Sequence, residues 1–159
     1  MKTILIVNPS SSGEYLSNKL RQNNIHGVAL FNMSLEQAKK LIFFKDNIFD
    51  EQLYIEDLTE EKLLALNQKY NFAFILNGSE NSVKLTDKIA AIIQPKFANP
   101  PELSNYRMDK FELNQQLIKH NLPAVKQYKL DLFSPEFNPE SFKNRNLCTQ
   151  NTRYGIIIY

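Results

Sequence analysis

The chain has 159 residues, with 19 Lys and Arg against 17 Asp and Glu, a formal net charge of +2. Its hydrophobic share of 43% and charged share of 23% are those of an ordinary globular protein, which excludes a disordered tail, a collagen-like chain and a disulfide scaffold. The near-neutral balance gives no electrostatic case for nucleic acid or an anionic membrane, and only 4 glycines, against a usual share of about 7%, leave little material for glycine-rich phosphate loops.

The single cysteine, Cys148, cannot form an intramolecular disulfide, so a reducing cytoplasm is the expected compartment. Arg153 is weak support for a reactive thiol there, and Cys148 is read as an ordinary one. The apolar start of the chain runs straight into Asn8-Pro9-Ser10-Ser11-Ser12, without the long apolar region of a signal peptide. No stretch approaches the ~18 consecutive apolar residues of a membrane span. The 18 asparagines are scattered and read as compositional drift, not as a prion-like tract.

Thr3-Ile4-Leu5-Ile6-Val7 is a β-branched, apolar run that fits a strand buried on both faces. Ser11 and Glu14 read as a capping box opening a helix that ends near Asn23-Asn24, and 26–31 is a second strand. Leu35, Ala38, Lys39 and Ile42 have helical spacing over 35–44. Phe43, Phe44, Ile48, Phe49 and Leu53 form an aromatic-rich patch that packs on the sheet edge, and Leu53-Tyr54-Ile55 is a short strand. Thr59 caps a helix with Glu60 and Glu61 in its first turn and an apolar stripe of Leu63, Leu64, Leu66 and Tyr70. Phe72-Ala73-Phe74-Ile75-Leu76 is a second buried strand, ended by Asn77-Gly78. Ser79 caps a helix to about Ile93, and Lys96-Phe97-Ala98 can close the sheet.

Strands alternating with helices imply a Rossmann-like parallel α/β sheet with right-handed crossovers. The two prolines of Asn99-Pro100-Pro101-Glu102 favour an extended connector. The boundary is accordingly expected there, with one domain over 1–101 and the incomplete start of an α+β lobe over 102–159. In that second part a helix runs from Met108 to about His120 and stops at Asn121, and a strand covers 125–130. Residues 131–153 are weakly patterned, with a short helix at 139–143, and 155–159 is a strand-like end whose open edge would invite dimerisation.

Ligands of open parallel sheets bind at the carboxyl ends of strands, which selects the loops 8–13 and 77–80. Ser11 and Ser12 in the first loop serve either as helix caps or as anion binders with helix-start N–H groups. The loop is neither G-x-G-x-x-G nor Walker A, which disfavours NAD-dependent oxidoreductases and P-loop enzymes. In the second loop Glu80 opens a helix. It either complements the dipole or binds the ammonium of an amino-acid substrate. Lys110 starts a helix, where the dipole disfavours a cation, so it is either a solvated first-turn residue or a phosphate ligand. His26 reads as strand packing and His120 as a helix C-terminal cation. No residue cluster has metal-ligand spacing, and no nucleophilic triad is evident.

Asn77-Gly78-Ser79-Glu80, then Val83, Leu85, Asp87 and Ala90, then Asn99, then Met108-Asp109-Lys110, then Asn121-Leu122-Pro123-Ala124 resemble, in order and spacing, the N-terminal part of ATP-grasp ligases, in the amino-acid ligase branch. The resemblance covers about residues 70–130, with looser agreement from residue 1. It implies a pre-ATP-grasp domain followed by the start of the ATP-grasp domain. The implied chemistry is ATP-dependent ligation of a carboxylate to an amine through an acyl phosphate, with ATP and magnesium as cofactors. By position, Glu80 corresponds to the acidic residue facing the substrate pocket, with Ser79, Ser11 and Ser12 beside it, and Lys110 to a lysine near the ATP phosphates.

The sequence departs from that pattern after Tyr128. The lysine of Ser141-Phe142-Lys143-Asn144-Arg145 lacks the expected strand setting, and neither a glycine-rich loop nor magnesium ligands follow. No catalytic residue is assigned. The expectation is a cytoplasmic, truncated ligase portion, inactive as a lone chain, that takes an amino-acid or carboxylate substrate and is a homodimer or is completed by another chain. The alternative is a non-catalytic small-molecule-binding or protein-interaction module on the same fold.

Overall fold

The computed structural model describes residues 2–10, 13–41, 44–125, 127–131, 138, 140, 146–149 and 154–158. The chain divides into two compact units, Met1–Ser104 and Asn105–Tyr159.

The first unit carries four parallel strands, β1 (Thr3–Val7), β2 (His26–Phe31), β3 (Glu51–Tyr54) and β4 (Phe72–Asn77), in the order β3-β2-β1-β4. Its helices are α1 (Gly13–Gln22), α2 (Leu35–Ala38), α3 (Glu60–Tyr70) and α4 (Val83–Ile93). This is the parallel α/β sheet implied by the alternation of strands and helices. The continuous apolar run of β1 is explained by its place inside the sheet, with a core on each face. Leu5 and Val7 join Val28, Leu30, Leu63, Phe72, Ile89 and Ile93 on the face covered by α3 and α4. Ile4 and Ile6 join Leu20, Ala29, Phe31, Ala38 and Phe49 on the other.

Local signals set most of the helix ends. Thr59 accepts the Lys62 N–H at 3.3 Å and opens α3, and Asn71, in a left-handed conformation, closes it. Three expectations need correction. The helix expected over 35–44 lasts only Leu35–Ala38: Ser34 and Gln37 form a capping box that starts it, but Phe44 packs onto the rings of Phe31 and Tyr54, 6.0 and 6.4 Å away between centroids. That aromatic contact wins over helix continuation. The closing strand expected at 96–98 is absent. Residues 95–97 turn instead, and the side-chain amide of Gln94 donates to Phe72 O, a carbonyl at the start of β4. β4 is therefore the last strand of the sheet. The helix expected from Met108 to His120 is two helices, α5 (Ser104–Met108) and α6 (Lys110–Lys119). Asp109 is extended between them, and its carboxylate accepts the N–H groups of Phe111 and Glu112 at 2.9 and 3.1 Å.

The end of the first unit is tied back to its own helix α4 by a buried carboxylate. Asp87, in α4, is 4% exposed and accepts the Ser104 hydroxyl at 2.5 Å.

The second unit pairs β5 (Gln127–Asp131), β6 (Asn146–Thr149) and β7 (Tyr154–Ile158) as an antiparallel sheet in the order β5-β7-β6. The terminal run read as an open-edged strand is thus the central strand, paired on both sides. Asn114 of α6 is buried and binds both backbone groups of Val125, accepting its N–H at 2.9 Å and donating to its carbonyl. A side-chain amide here mimics a strand partner and fixes the approach to β5. The expected helix at 139–143 lies almost entirely outside the described residues, as do Lys143 and Arg145. Among the described residues no helix is long and apolar enough to cross a membrane.

Candidate functional site

The strand order sets the place. From β1 the chain moves through β2 to β3, then crosses back so that β4 lies on the other side of β1. The order reverses between β1 and β4, and in open α/β sheets ligands bind at the carboxyl ends of the strands at such a switch point. The loops after β1 and β4, both singled out from the sequence, meet there.

They meet closely. The Gly78 N–H donates to Val7 O at 2.9 Å, and the Ser10 N–H reaches Gly78 O at 3.3 Å. A Cβ on Gly78 would lie 2.5 Å from Val7 O and 2.6 Å from Pro9 Cα and N. These are backbone atoms that cannot swing aside, so glycine is the residue that lets the two loops touch. Behind this contact sits Ser82, buried to 1% exposure. Its hydroxyl has Val7 O at 3.0 Å, Ser79 O at 2.8 Å and Asn77 Oδ1 at 2.5 Å within reach, and it accepts the Ser79 N–H at 3.1 Å. Thr86 donates to Ser82 O at 2.8 Å.

The other end of the sheet's carboxyl edge is closed by asparagines. Asn8 Oδ1 accepts the Asn32 N–H at 2.8 Å, and the Asn32 amide donates to Ile55 O and Glu56 O, both at 2.9 Å. A dinucleotide enzyme places an acidic residue near the end of β2 for the ribose. Here Asn32 stands at that end with its side chain spent on the loop after β3.

Several backbone donors at the switch point are also spent. The Asn8 N–H is bound to Leu30 O at 2.8 Å, Pro9 has none, and those of Ser10, Gly78 and Ser79 are bound as described. The backbone donors of residues 8, 10, 78 and 79 are therefore used within the protein and not turned toward a ligand. What faces outward is an acceptor: Glu80 opens a single 3-10 turn, Glu80–Ser82, at the carboxyl end of β4, is exposed, and has no partner among the described residues. An exposed carboxylate, which can only accept, suits a ligand that brings its own donors, such as an ammonium group.

Of the site residues expected from the sequence, Ser79 and Glu80 stand together at the switch point. Ser79 was expected to cap a long helix. Instead its hydroxyl lies 3.2 Å from Ser82 Oγ, and α4 begins three residues after Glu80. Ser11 and Ser12 lie outside the described residues. Lys110 belongs to the second unit, exposed at the start of α6, where the Asp109 carboxylate offsets the unfavourable dipole. Among the described residues no group of three or more His, Cys, Asp or Glu could hold a metal ion. Asn8 and Asn77 stand in the two loops selected from the sequence, but their side-chain bonds, like the roles of Asn32, Ser82 and Thr86, are not read there. The signal for the last two was present: Ser82 and Thr86 continue the inward stripe of Ile89 and Ile93 at helical spacing, and polar residues in an apolar stripe mark a buried network.

No protein-family model and no curated protein matches the sequence. Solved structures do match. An L-amino acid ligase from Bacillus licheniformis superimposes with a TM-score of 0.60 at 9% identity, over 99% of this chain and 46% of that one. A phosphoribosylglycinamide synthetase from Anaerococcus prevotii gives 0.52 at 12%, over 99% and 45%. An N5-carboxyaminoimidazole ribonucleotide synthetase from Thermotoga maritima gives 0.57 at 16%, over 99% and 41%. The chain spans under half the length of each, and at these identities the likeness is one of fold. All three are ATP-grasp ligases, matched in their N-terminal portion, so this chain has the fold of the N-terminal portion of an ATP-grasp ligase.

Proposed function

We propose that the chain is the substrate-side N-terminal module of an ATP-dependent carboxylate–amine ligase, and that Glu80 receives the ammonium group of an amino-acid substrate. The observation that carries this reading is an exposed Glu80, without a partner among the described residues, at a switch point where the N–H groups of residues 8, 10, 78 and 79 are bound within the protein. Ser79, with Ser11 and Ser12 of the loop after β1, would line the substrate, and Lys110 would face the nucleotide. ATP and magnesium belong in this reading to the whole ligase. The four glycines Gly13, Gly27, Gly78 and Gly155 are far apart and form no phosphate loop, so these 159 residues alone are expected to bind without turning over ATP. That observation equally supports the second reading, a small-molecule-binding module without catalysis.

The test is a calorimetric and thermal-shift titration of the 159-residue chain with the twenty L-amino acids singly. At least one is expected to bind, its N-acetyl derivative is not, and Glu80→Gln should weaken binding about tenfold or more, the scale of one hydrogen bond to a charged group. Glu80 is exposed, so the substitution should change folding stability by no more than about 0.5 kcal/mol. Binding unchanged by Glu80→Gln, or tolerance of the N-acetyl group, would refute the assignment of Glu80. Absence of any amino-acid ligand would refute the substrate class.

A further inference from the structure

We propose that Ser82 is the positioning residue of the switch point: its buried hydroxyl sets the turn through Gly78, Ser79 and Glu80, and through that turn the place of the Glu80 carboxylate. The inference about Glu80 rests on the proposed function; the inference about the turn does not. Ser82 lies at the end of the 3-10 turn that Glu80 opens, so the two side chains share one tight backbone loop. The hydroxyl lies between three elements of the site. Val7 O belongs to the end of β1 at 3.0 Å, Asn77 Oδ1 to the end of β4, and Ser79 O and N to the turn, at 2.8 and 3.1 Å. The single proton serves one of the three acceptors at a time, while a lone pair accepts the Ser79 N–H. Thr86 closes the assembly from one helical turn further on, donating to Ser82 O at 2.8 Å. Glu80 itself is exposed and has no described side-chain contact to hold it. Its placement depends on the backbone of the turn, which the Gly78 N–H fastens to β1 and which Ser82 holds one residue further on by accepting the Ser79 N–H.

The Ser79 N–H reports the claim directly, because the Ser82 hydroxyl is its acceptor. In Ser82→Ala, hydrogen exchange at the Ser79 amide should accelerate about tenfold or more. The Gly78 amide, bound to Val7 O, should keep its protection. Ser82→Thr, which retains a hydroxyl on Cβ, should restore the Ser79 amide. The second arm is a double-mutant cycle on amino-acid affinity at a temperature where every variant is folded. Ser82→Ala should weaken binding several-fold in the native background and have no further effect in Glu80→Gln. Equal effects in both backgrounds, with Glu80→Gln itself weakening binding, would overturn the positioning role while leaving the proposed function standing. If no amino acid binds, the proposed function fails and the Ser79 amide decides alone: lost protection supports Ser82 as the residue that sets the turn, and retained protection overturns it.

Discussion

Asparagine takes over, in this chain, work that glycine does elsewhere. Asn8, Asn24, Asn47, Asn71 and Asn121 all adopt positive φ, between 45° and 58°, and no described glycine does. The abundance read from the sequence as drift is therefore partly structural, since Asn tolerates the left-handed region better than any other side-chain-bearing residue. It also adds what glycine cannot: Asn8 turns the chain after β1 and at the same time offers its side-chain oxygen to Asn32. Asn71 makes the simpler case. It ends α3 with φ 49° and ψ 60°, its N–H bound to Asn67 O at 2.7 Å, and needs only the conformation. Asn71→Gly should thus change stability by no more than about 0.5 kcal/mol, while Asn71→Ala should cost about 1–2 kcal/mol, the strain of an ordinary residue in that region. Urea denaturation of the two variants side by side gives the comparison, and equal stabilities would show that the left-handed geometry is not what Asn71 supplies.

Between elements, the sheet is tied to α3 away from the candidate site. The Tyr70 hydroxyl donates to the Glu51 carboxylate of β3, and Lys69 donates to the Tyr70 oxygen at 2.6 Å. Burial first, and then the bond to Glu51, raise the Tyr70 pKa above its ordinary value; the bond to Tyr70 raises that of Lys69. In both cases the folded protein holds its proton more firmly than the unfolded chain. The contribution is therefore fully present below the unfolded pKa values, about 10, and is lost as pH rises through the folded ones. The denaturation midpoint should fall with pH above about 10, and Tyr70→Phe should flatten that fall. Tyr54, raised mainly by burial, accounts for slope that remains. An unchanged slope in Tyr70→Phe would exclude Tyr70 as its source.

The elements also show what the sequence could and could not disclose. α3 was legible because its cap, first-turn acids and apolar stripe are all local, and β1 and β4 because strands buried on both faces need continuous apolar runs. The length of α2 was not, because Phe44 answers to the rings of two distant strands. The missing strand at 96–98 depends on Gln94 reaching Phe72, and β7 is central because β6, four residues in a polar stretch, pairs beside it. The site divides in the same way. The Gly78–Glu80 turn could be read from local punctuation. The reason Gly78 is glycine, and the role of Ser82, depend on β1 and β4 lying side by side, a pairing of residues some seventy positions apart that no local pattern encodes.

At the scale of the whole molecule, the described residues of the two units differ in how much they bury. The buried apolar side chains among the described residues, from Ile4 to Ile93, all belong to Met1–Ser104. In Asn105–Tyr159 the buried residue of α6 is the polar Asn114, while Leu113, Ile118, Leu122 and Val125 stand exposed. Hydrophobic burial is the main favourable term in folding, so the described core gives the first unit the means to fold stably, while α6 has little apolar burial of its own to hold it. Local opening free energies follow buried apolar contact. Native-state hydrogen exchange should accordingly find the amides of β1 and β2 exchanging only through global unfolding, and those of α6 through a cheaper partial opening. The gap should be about 2 kcal/mol or more, roughly the burial of one large apolar side chain. A urea titration followed by the same amides should then lose α6 before the parallel sheet, in two steps. One common opening free energy across β1, β2 and α6 would mean that the second unit draws its stability from the first, and that the chain unfolds as a single cooperative body.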